Sequence, residues 1–316
     1  MRFKRLGKTG LITSEIGFGA SPLGDVFGRV DLDEILRATQ TAIELGVNLF
    51  DVSPYYGHKL AEERLGLALA GRRSEIILAT KCGRYGEDVF DFSKKTIARE
   101  LEQSLRRLRT DHVDLLQAHD VEFGTLDIIV HETLPAMREL QRAGKVRFIG
   151  VTGYPPELIA KIVDESALDV ALSYCHYNLL MNDMDTTLTP SASRKDVGLI
   201  NASPLHMGLL NGLSRIPEWH PAPENVRTAA ARIVHFCRTE GLDPAVVALR
   251  FCLDHPYVSS TLVGMSSVSQ VLANVSASDN SLDPPLLRTI RTLVGDAFNI
   301  NWPSPPCPLP TSTPPR

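Results

Sequence analysis

Short apolar runs alternate with amphipathic stretches along nearly the whole chain, and this alternation narrows the choice of fold more than any other feature. The runs are Ile16–Ala20, Val47–Phe50, Ile76–Thr80, Val113–Ala118, Lys145–Val151, Leu168–Tyr174, Val197–Ala202 and Val258–Val263, each four to seven residues long. That is the length of a buried strand, and the segments between them carry helical periodicity. A helix capped by Asp33 is predicted to run to about Leu45, with Ile35, Leu36, Ala42, Ile43 and Leu45 as its apolar stripe and Gly46 ending it. Others are predicted near 61–70, over Lys94–Leu108 behind a Ser93 cap, over Leu126–Ala143, and around Ile159. A weak helix falls within 178–196, two more over 224–239 and 244–253, and one over 268–275. Eight strands alternating with helices predict a (β/α)8 barrel rather than an open doubly wound sheet. No G-x-G-x-x-G follows the first strand, which counts against a dinucleotide-binding domain of that other type.

Residues 2–17, around the turn signal Lys8-Thr9-Gly10, predict a hairpin before the barrel, and a helix near 285–298 packs outside it. Residues 1–300 thus form one domain, followed by a proline-rich tail, 301–316. Seven prolines between Pro303 and Arg316 should leave that tail disordered or extended, and a passive tail is favoured over a proline-recognition element. The composition of 316 residues, 43% hydrophobic and 22% charged with a net charge of −4, is globular and suggests neither a nucleic-acid nor a membrane partner. No apolar run approaches the ~18 residues of a membrane span. The N-terminus has basic residues with no hydrophobic stretch behind them, so no secretory signal is expected. Cys82, Cys175, Cys237, Cys252 and Cys307 show no paired spacing, which argues against a disulfide framework and a metal site and for a reduced, cytoplasmic protein.

Three consecutive strands end in chemistry. The run through Phe50 stops at Asp51, with Tyr56 five residues on; the next stops at Lys81 and the third at His119. The spacings each match one strand–helix–strand unit. Parallel neighbours lie about 4.8 Å apart, so the three tips span on the order of 10 Å, within reach of Lys and Tyr side chains. One polar residue after a strand is ordinary; four on successive strand ends are not. In a barrel these ends face the active-site mouth. A tyrosine titrates near 10. An adjacent ammonium is expected to lower that value, with Asp51 holding the lysine charged, so that Tyr56 serves as general acid or base and His119 orients a substrate oxygen. This set suits proton transfer coupled to hydride transfer at a carbonyl or alcohol.

The segment DVSPYYG, the Lys81 and His119 strand ends and the late segments together resemble the aldo-keto reductase superfamily, with its Asp, Tyr, Lys and His tetrad. The longer strings GFGASPLGDVFG, TKCGRYGEDVFDFS, HDVEFGTLDIIVHETLPA, ASPLHMGLL, PEWHPA and LVGMSSVSQVLANV resemble the plant L-galactose dehydrogenase group within it. The resemblance implies oxidation of an aldose at C1 with NAD, giving an aldonolactone on the ascorbate route, by a monomer or homodimer. It also implies a cofactor seat in which Gly264, Met265, Ser266, Ser267, Gln270 and Asn274 wrap pyrophosphate and adenosine. Ser203, Leu205 and Gly208 would line the pyrophosphate channel, and Gly19, Ala20 and Ser21 the nicotinamide end. A 2′-phosphate ordinarily wants an Arg or Lys fork, and none lies between Val263 and Val275, so NAD is expected over NADP.

Some positions depart from the superfamily pattern. Thr152-Gly153 stands where Ser-Asn is usual, Ser173 or Tyr174 must replace a Gln, and Ala273 an acidic residue. His176 and Trp219 are candidates for contact with the sugar, His176 being as readily a core histidine. Cys82 is expected to point away from Lys81 by strand alternation. Rival readings are an aldose 1-dehydrogenase for L-fucose or D-arabinose, an NADPH-dependent pyridoxal-type reductase, and a non-catalytic nucleotide-binding subunit.

Overall fold

The computed structural model describes residues 1–212, 220–279 and 281–302. Two short strands, β1 (Phe3–Arg5) and β2 (Ile12–Ser14), form an antiparallel hairpin with Phe3 opposite Ser14. Eight parallel strands follow: β3 (Ile16–Gly19), β4 (Leu49–Asp51), β5 (Ile77–Cys82), β6 (Val113–Ala118), β7 (Val146–Gly153), β8 (Val170–Tyr174), β9 (Gly198–Ala202) and β10 (Ser260–Gly264). They pair in chain order, and β10 closes on β3. The (β/α)8 barrel expected from the alternation of runs is therefore the fold.

Alternation along the strands sorts the side chains into two cores. Leu49, Ile77, Leu115, Val170, Leu172, Ile200 and Leu262 pack with Leu6 and Leu11 of the hairpin inside the barrel. Their neighbours Phe50, Leu78, Leu116, Ala171 and Leu199 pack outward against the helices. The hairpin closes the floor. Gly7, at φ +48, lies so close to β9 that an added Cβ would sit 2.2 Å from the Gly198 nitrogen. With the floor filled, the strand C-termini are the end left for a site.

Most helices fall as the periodicity predicts, Lys94–Leu108, Glu224–Thr239 and Pro244–Leu253 to the residue. The first begins earlier than expected. It spans Leu32–Glu44, and Asp31, not Asp33, caps it by accepting from the Glu34 amide at 3.1 Å. The stretch predicted as one helix over Leu126–Ala143 is broken into Leu126–Ile128, a π turn Ile129–Thr133, and Leu134–Arg142. Pro135 explains the break: it has no amide to give and crowds the preceding carbonyl, and the wider turn places it at the start of a new helix instead. Buried Glu62 ties the helices to β5, accepting from Thr80 at 2.7 Å and from Arg107 at 2.7 Å. This holds the strand end that carries Lys81.

The helix Pro284–Val294 packs through Ile290 and Val294 on the outer face of Glu224–Thr239. After it the chain returns to the barrel mouth. Tyr154 donates to Asn301 at 2.6 Å, and Trp302, only 6% exposed, stacks edge-on against His206. The remaining tail, 303–316, lies outside the described residues. Among the described residues no helix is long and apolar enough to cross a membrane, and no His, Cys, Asp or Glu cluster suits a metal ion.

Candidate active site

Asp51 lies on the same strand face as inward-pointing Leu49, and Lys81 on that of Ile77 and Ala79. The two meet as a buried ion pair at the top of the barrel. Lys81 Nζ also donates to the Val52 carbonyl at 3.0 Å, and it stands 4.9 Å from the centre of the Tyr56 ring. Lys81 and Tyr56 are close enough for each to influence the other's titration. A close backbone contact seats Tyr56. Gly57, at φ +57, packs onto Gly24 so tightly that a Cβ would fall 2.0 Å from the Gly24 oxygen. His119 is held by its own amide, which donates to Cys82 at 2.8 Å across β5 and β6, and its ring meets that of Tyr56 edge-on at 5.8 Å. Asp51, Tyr56, Lys81 and His119 are thus brought together.

The electrostatics differ from expectation at one point. Burial works against the Lys81 ammonium, but the Asp51 carboxylate and the Tyr56 oxygen more than offset it, and the amine is held above its usual range. Tyr56, however, is not pulled below the ordinary phenol value. Burial pushes it up, Lys81 pulls it back, and the nearby Asp51 and Asp120 carboxylates add to the rise. In the protein alone Tyr56 is therefore a neutral acid, ready to give a proton. Burial lowers His119 well below the usual imidazole range, helped by the Lys81 and Arg84 cations, so its ring is neutral.

Four further residues support this set. Gln117, opposite Lys81 on β6, donates to the second Asp51 oxygen at 3.0 Å. It points inward with Leu115, and a polar residue on the inner face of an apolar strand was a signal the alternation offered. Arg84 and Asp120 form a second buried ion pair at 2.6 Å, with the guanidinium 3.8 Å over the Tyr55 ring. Ser53 sits 3.0 Å from His119 Nδ1. Their pairings cross between loops, beyond any local pattern.

The other side of the mouth is bare. The inward tips of β3, β9 and β10 are Gly19, Ala202 and Gly264, and Gly19 pairs in register with both Asp51 and Gly264. These three adjacent tips carry no side chain larger than a methyl, and Pro22 packs close over Gly264, where an added Cβ would sit 3.0 Å from its ring. Ala20 is buried, its amide bonded to the Asp51 carbonyl at 2.9 Å, and Ser21 opens the following turn. Thr152 shares the inner face with Gly150, and Tyr174 that with Leu172, so both face the mouth. Ser173 does not. It shares the outward face of β8 with Ala171, aligned with Asn201, and its hydroxyl is enclosed there. Met265 gives its side chain to the core and its amide to the Gly19 carbonyl at 3.4 Å.

Ser267 caps the helix Val268–Ser276, accepting from Gln270 at 3.3 Å, while the Gln270 side chain accepts from Ser266 at 2.8 Å. Asn274 is buried on that helix. Ser203, His206, Met207 and Gly208 all take positive φ in the loop after β9, with Leu205 among them. That concentration of left-handed residues is uncommon for side-chain-bearing positions and marks a loop shaped for something other than packing.

His176 is not a sugar contact. Its ring is wholly enclosed, paired with Asp183 at 2.8 Å and packed on Tyr154, so the core reading holds. Trp219 lies outside the described residues. Cys82 packs outward as alternation predicts, and burial pushes its thiol up to about 12.

A closed barrel whose strand ends gather a buried lysine–aspartate pair, a phenol and a neutral imidazole at one mouth fits an oxidoreductase. The aldo/keto reductase family matches residues 15–294, and the chain belongs to it. It is an oxidoreductase acting on CH–OH groups, in a family that uses nicotinamide cofactors. The chain is 45% identical to the L-galactose dehydrogenase of Arabidopsis thaliana over 96% of its own length and 98% of that protein's. It is 30% identical to D-arabinose 1-dehydrogenase of Saccharomyces cerevisiae, covering 87% and 88%. The holo form of an aldo-keto reductase from Bacillus halodurans superposes with a TM-score of 0.77 at 30% identity, covering 93% of this chain and 96% of that one.

Proposed function

We propose that the protein oxidises the C1 hydroxyl of L-galactose or a close aldose to the aldonolactone with NAD, the step type that feeds ascorbate synthesis. The observation that carries this is the Asp51–Lys81–Tyr56–His119 set gathered at the barrel mouth beside the small tips Gly19, Ala202 and Gly264. The 45% identity to L-galactose dehydrogenase supports the choice of sugar. A nicotinamide held beside these tips would supply the hydride acceptor and, in its oxidised form, positive charge that favours the Tyr56 phenolate. For oxidation the phenol of Tyr56 first gives its own proton to solvent; Lys81, fixed by Asp51 and Gln117, stabilises the resulting phenolate, which then takes the sugar hydroxyl proton. His119 donates to the sugar oxygen. Holding these groups in contact supplies much of the rate.

Thr152 and Tyr174 would face the nicotinamide amide, Gly19, Ala20 and Ser21 its ring, and Ser203, Leu205 and Gly208 the pyrophosphate. Backbone amides and hydroxyls at Gly264, Ser266, Ser267 and Gln270, with Asn274, would serve the adenosine end. The absence of Arg or Lys from Val263 to Val275 supports NAD. Four buried, unpaired cysteines, Cys82, Cys175, Cys237 and Cys252, fit a reducing compartment such as the cytoplasm. The test is initial-rate NADH formation from L-galactose, set against L-fucose and D-arabinose, with NAD and with NADP. L-Galactose with NAD should give the highest kcat/KM; a preference for NADP, or for an unrelated aldehyde in the reductive direction, would overturn the reading.

A further inference from the structure

We propose that Ser53 is a positioning residue that locks the neutral ring of His119 in the tautomer with its proton on Nε2. The Ser53 hydroxyl is completely buried and stands 3.0 Å from His119 Nδ1. Its oxygen already accepts from the Tyr55 amide at 3.1 Å. A buried hydroxyl proton needs an acceptor, and among the described contacts of Ser53 the imidazole nitrogen is the group able to take it. Ser53 therefore donates and Nδ1 accepts, which leaves the ring proton on Nε2.

The other edge of the ring agrees independently. Nε2 lies 3.6 Å from Asp120 Oδ2, a charge contact longer than a hydrogen bond, and Arg84 donates to that same oxygen at 2.6 Å. A nitrogen turned toward an anion carries its proton, while one turned toward a donor lends its lone pair. Both flanks select the same tautomer, so His119 presents an N–H without having to become an imidazolium.

Ser53 owes its place to the same loop as the phenol. The Tyr56 amide donates to the Ser53 carbonyl at 3.1 Å, so one short turn sets the proton-transfer group and the tautomer of its neighbour together. That the Nε2 proton serves a sugar oxygen rests on the function proposed above; the tautomer itself does not.

The experiment is nitrogen-15 NMR on histidine-labelled, cofactor-free full-length protein, with the His119 signals assigned by their loss in His119→Asn. Wild type should show Nδ1 as a pyridine-type nitrogen and Nε2 as a pyrrole-type N–H. The reverse pattern overturns the proposal. Ser53→Ala should convert the signals to a tautomer mixture and lower kcat/KM for the sugar about tenfold, chiefly through kcat, with Ser53→Thr recovering both. A Ser53→Ala protein that keeps the wild-type nitrogen pattern overturns it as well. If Ser53→Ala does not fold, the wild-type spectrum decides alone. The expected pattern in a protein that oxidises no aldose would refute the enzymatic reading while leaving the Ser53 assignment standing.

Discussion

The two sides of the barrel mouth are built on opposite principles. On β4, β5 and β6 the strand ends carry Asp51, Lys81 and His119, and each is already bonded to protein groups: Gln117, Val52, Ser53. On β9, β10 and β3 the tips are Ala202, Gly264 and Gly19, and behind them Ser267 caps a helix while Ser266 bonds the Gln270 side chain. The first side must hold a lysine and a carboxylate out of water, and it does so by pairing them directly and adding a bond from Gln117. The second side carries little bulk at its tips. The charged groups of the first side are thus arranged by the protein alone.

If the wired side is as interdependent as it looks, removing one charge should damage it most. Lys81→Met leaves the Asp51 carboxylate buried without its cation, and should cost about 3–5 kcal/mol of stability and on the order of 10³-fold in kcat. Urea unfolding and steady-state rates check both; a fully stable, active variant would show that the pair is dispensable. The bare side should respond differently. Ala202→Leu, which fills the recess beside Tyr174, should weaken NADH binding about tenfold by fluorescence titration while leaving the unfolding midpoint within about 1 kcal/mol of wild type. Equal damage to stability from both variants would erase the distinction.

Acid acts on both sides at once, each contributing a histidine. Burial holds His119 well below its usual range and pushes His206, beside Trp302, down to about 3. Their folded values lie below the unfolded value of about 6.5, so the unfolded chain binds more protons as pH falls. Their stabilisation is therefore complete above about pH 6.5 and is lost on acidification, each ring adding a slope of up to about 1.4 kcal/mol per pH unit. Thermal midpoints at pH 7.5 and 5.5 should show the loss, and His206→Gln should make it shallower without moving the pH profile of catalysis.

Much of this was legible in the sequence because it rests on period and spacing. The apolar runs located all eight strands, and strand ends one supersecondary unit apart located Asp51, Lys81 and His119. What stayed hidden depended on pairings between segments far apart in the chain. Gln117 reaches Asp51 across the barrel, and Ser53 meets His119 only when two loops are folded together. The sign of the Tyr56 shift was hidden too, because a neighbouring charge can be guessed from spacing whereas the degree of burial opposing it cannot. Ser173 shows the converse: alternation on β8 already placed it outward, once the strand's phase was set by Leu172.

The most direct test of the catalytic arrangement is single-turnover NADH formation from L-galactose by Tyr56→Phe, followed from pH 6 to 10. In the wild type the oxidation rate should climb with pH as the phenol loses its proton. The variant should bind NAD and keep its fold, yet lose on the order of 10³-fold or more of that rate together with the climb. A Tyr56→Phe protein turning over like the wild type, with the same pH profile, would contradict the mechanism outright.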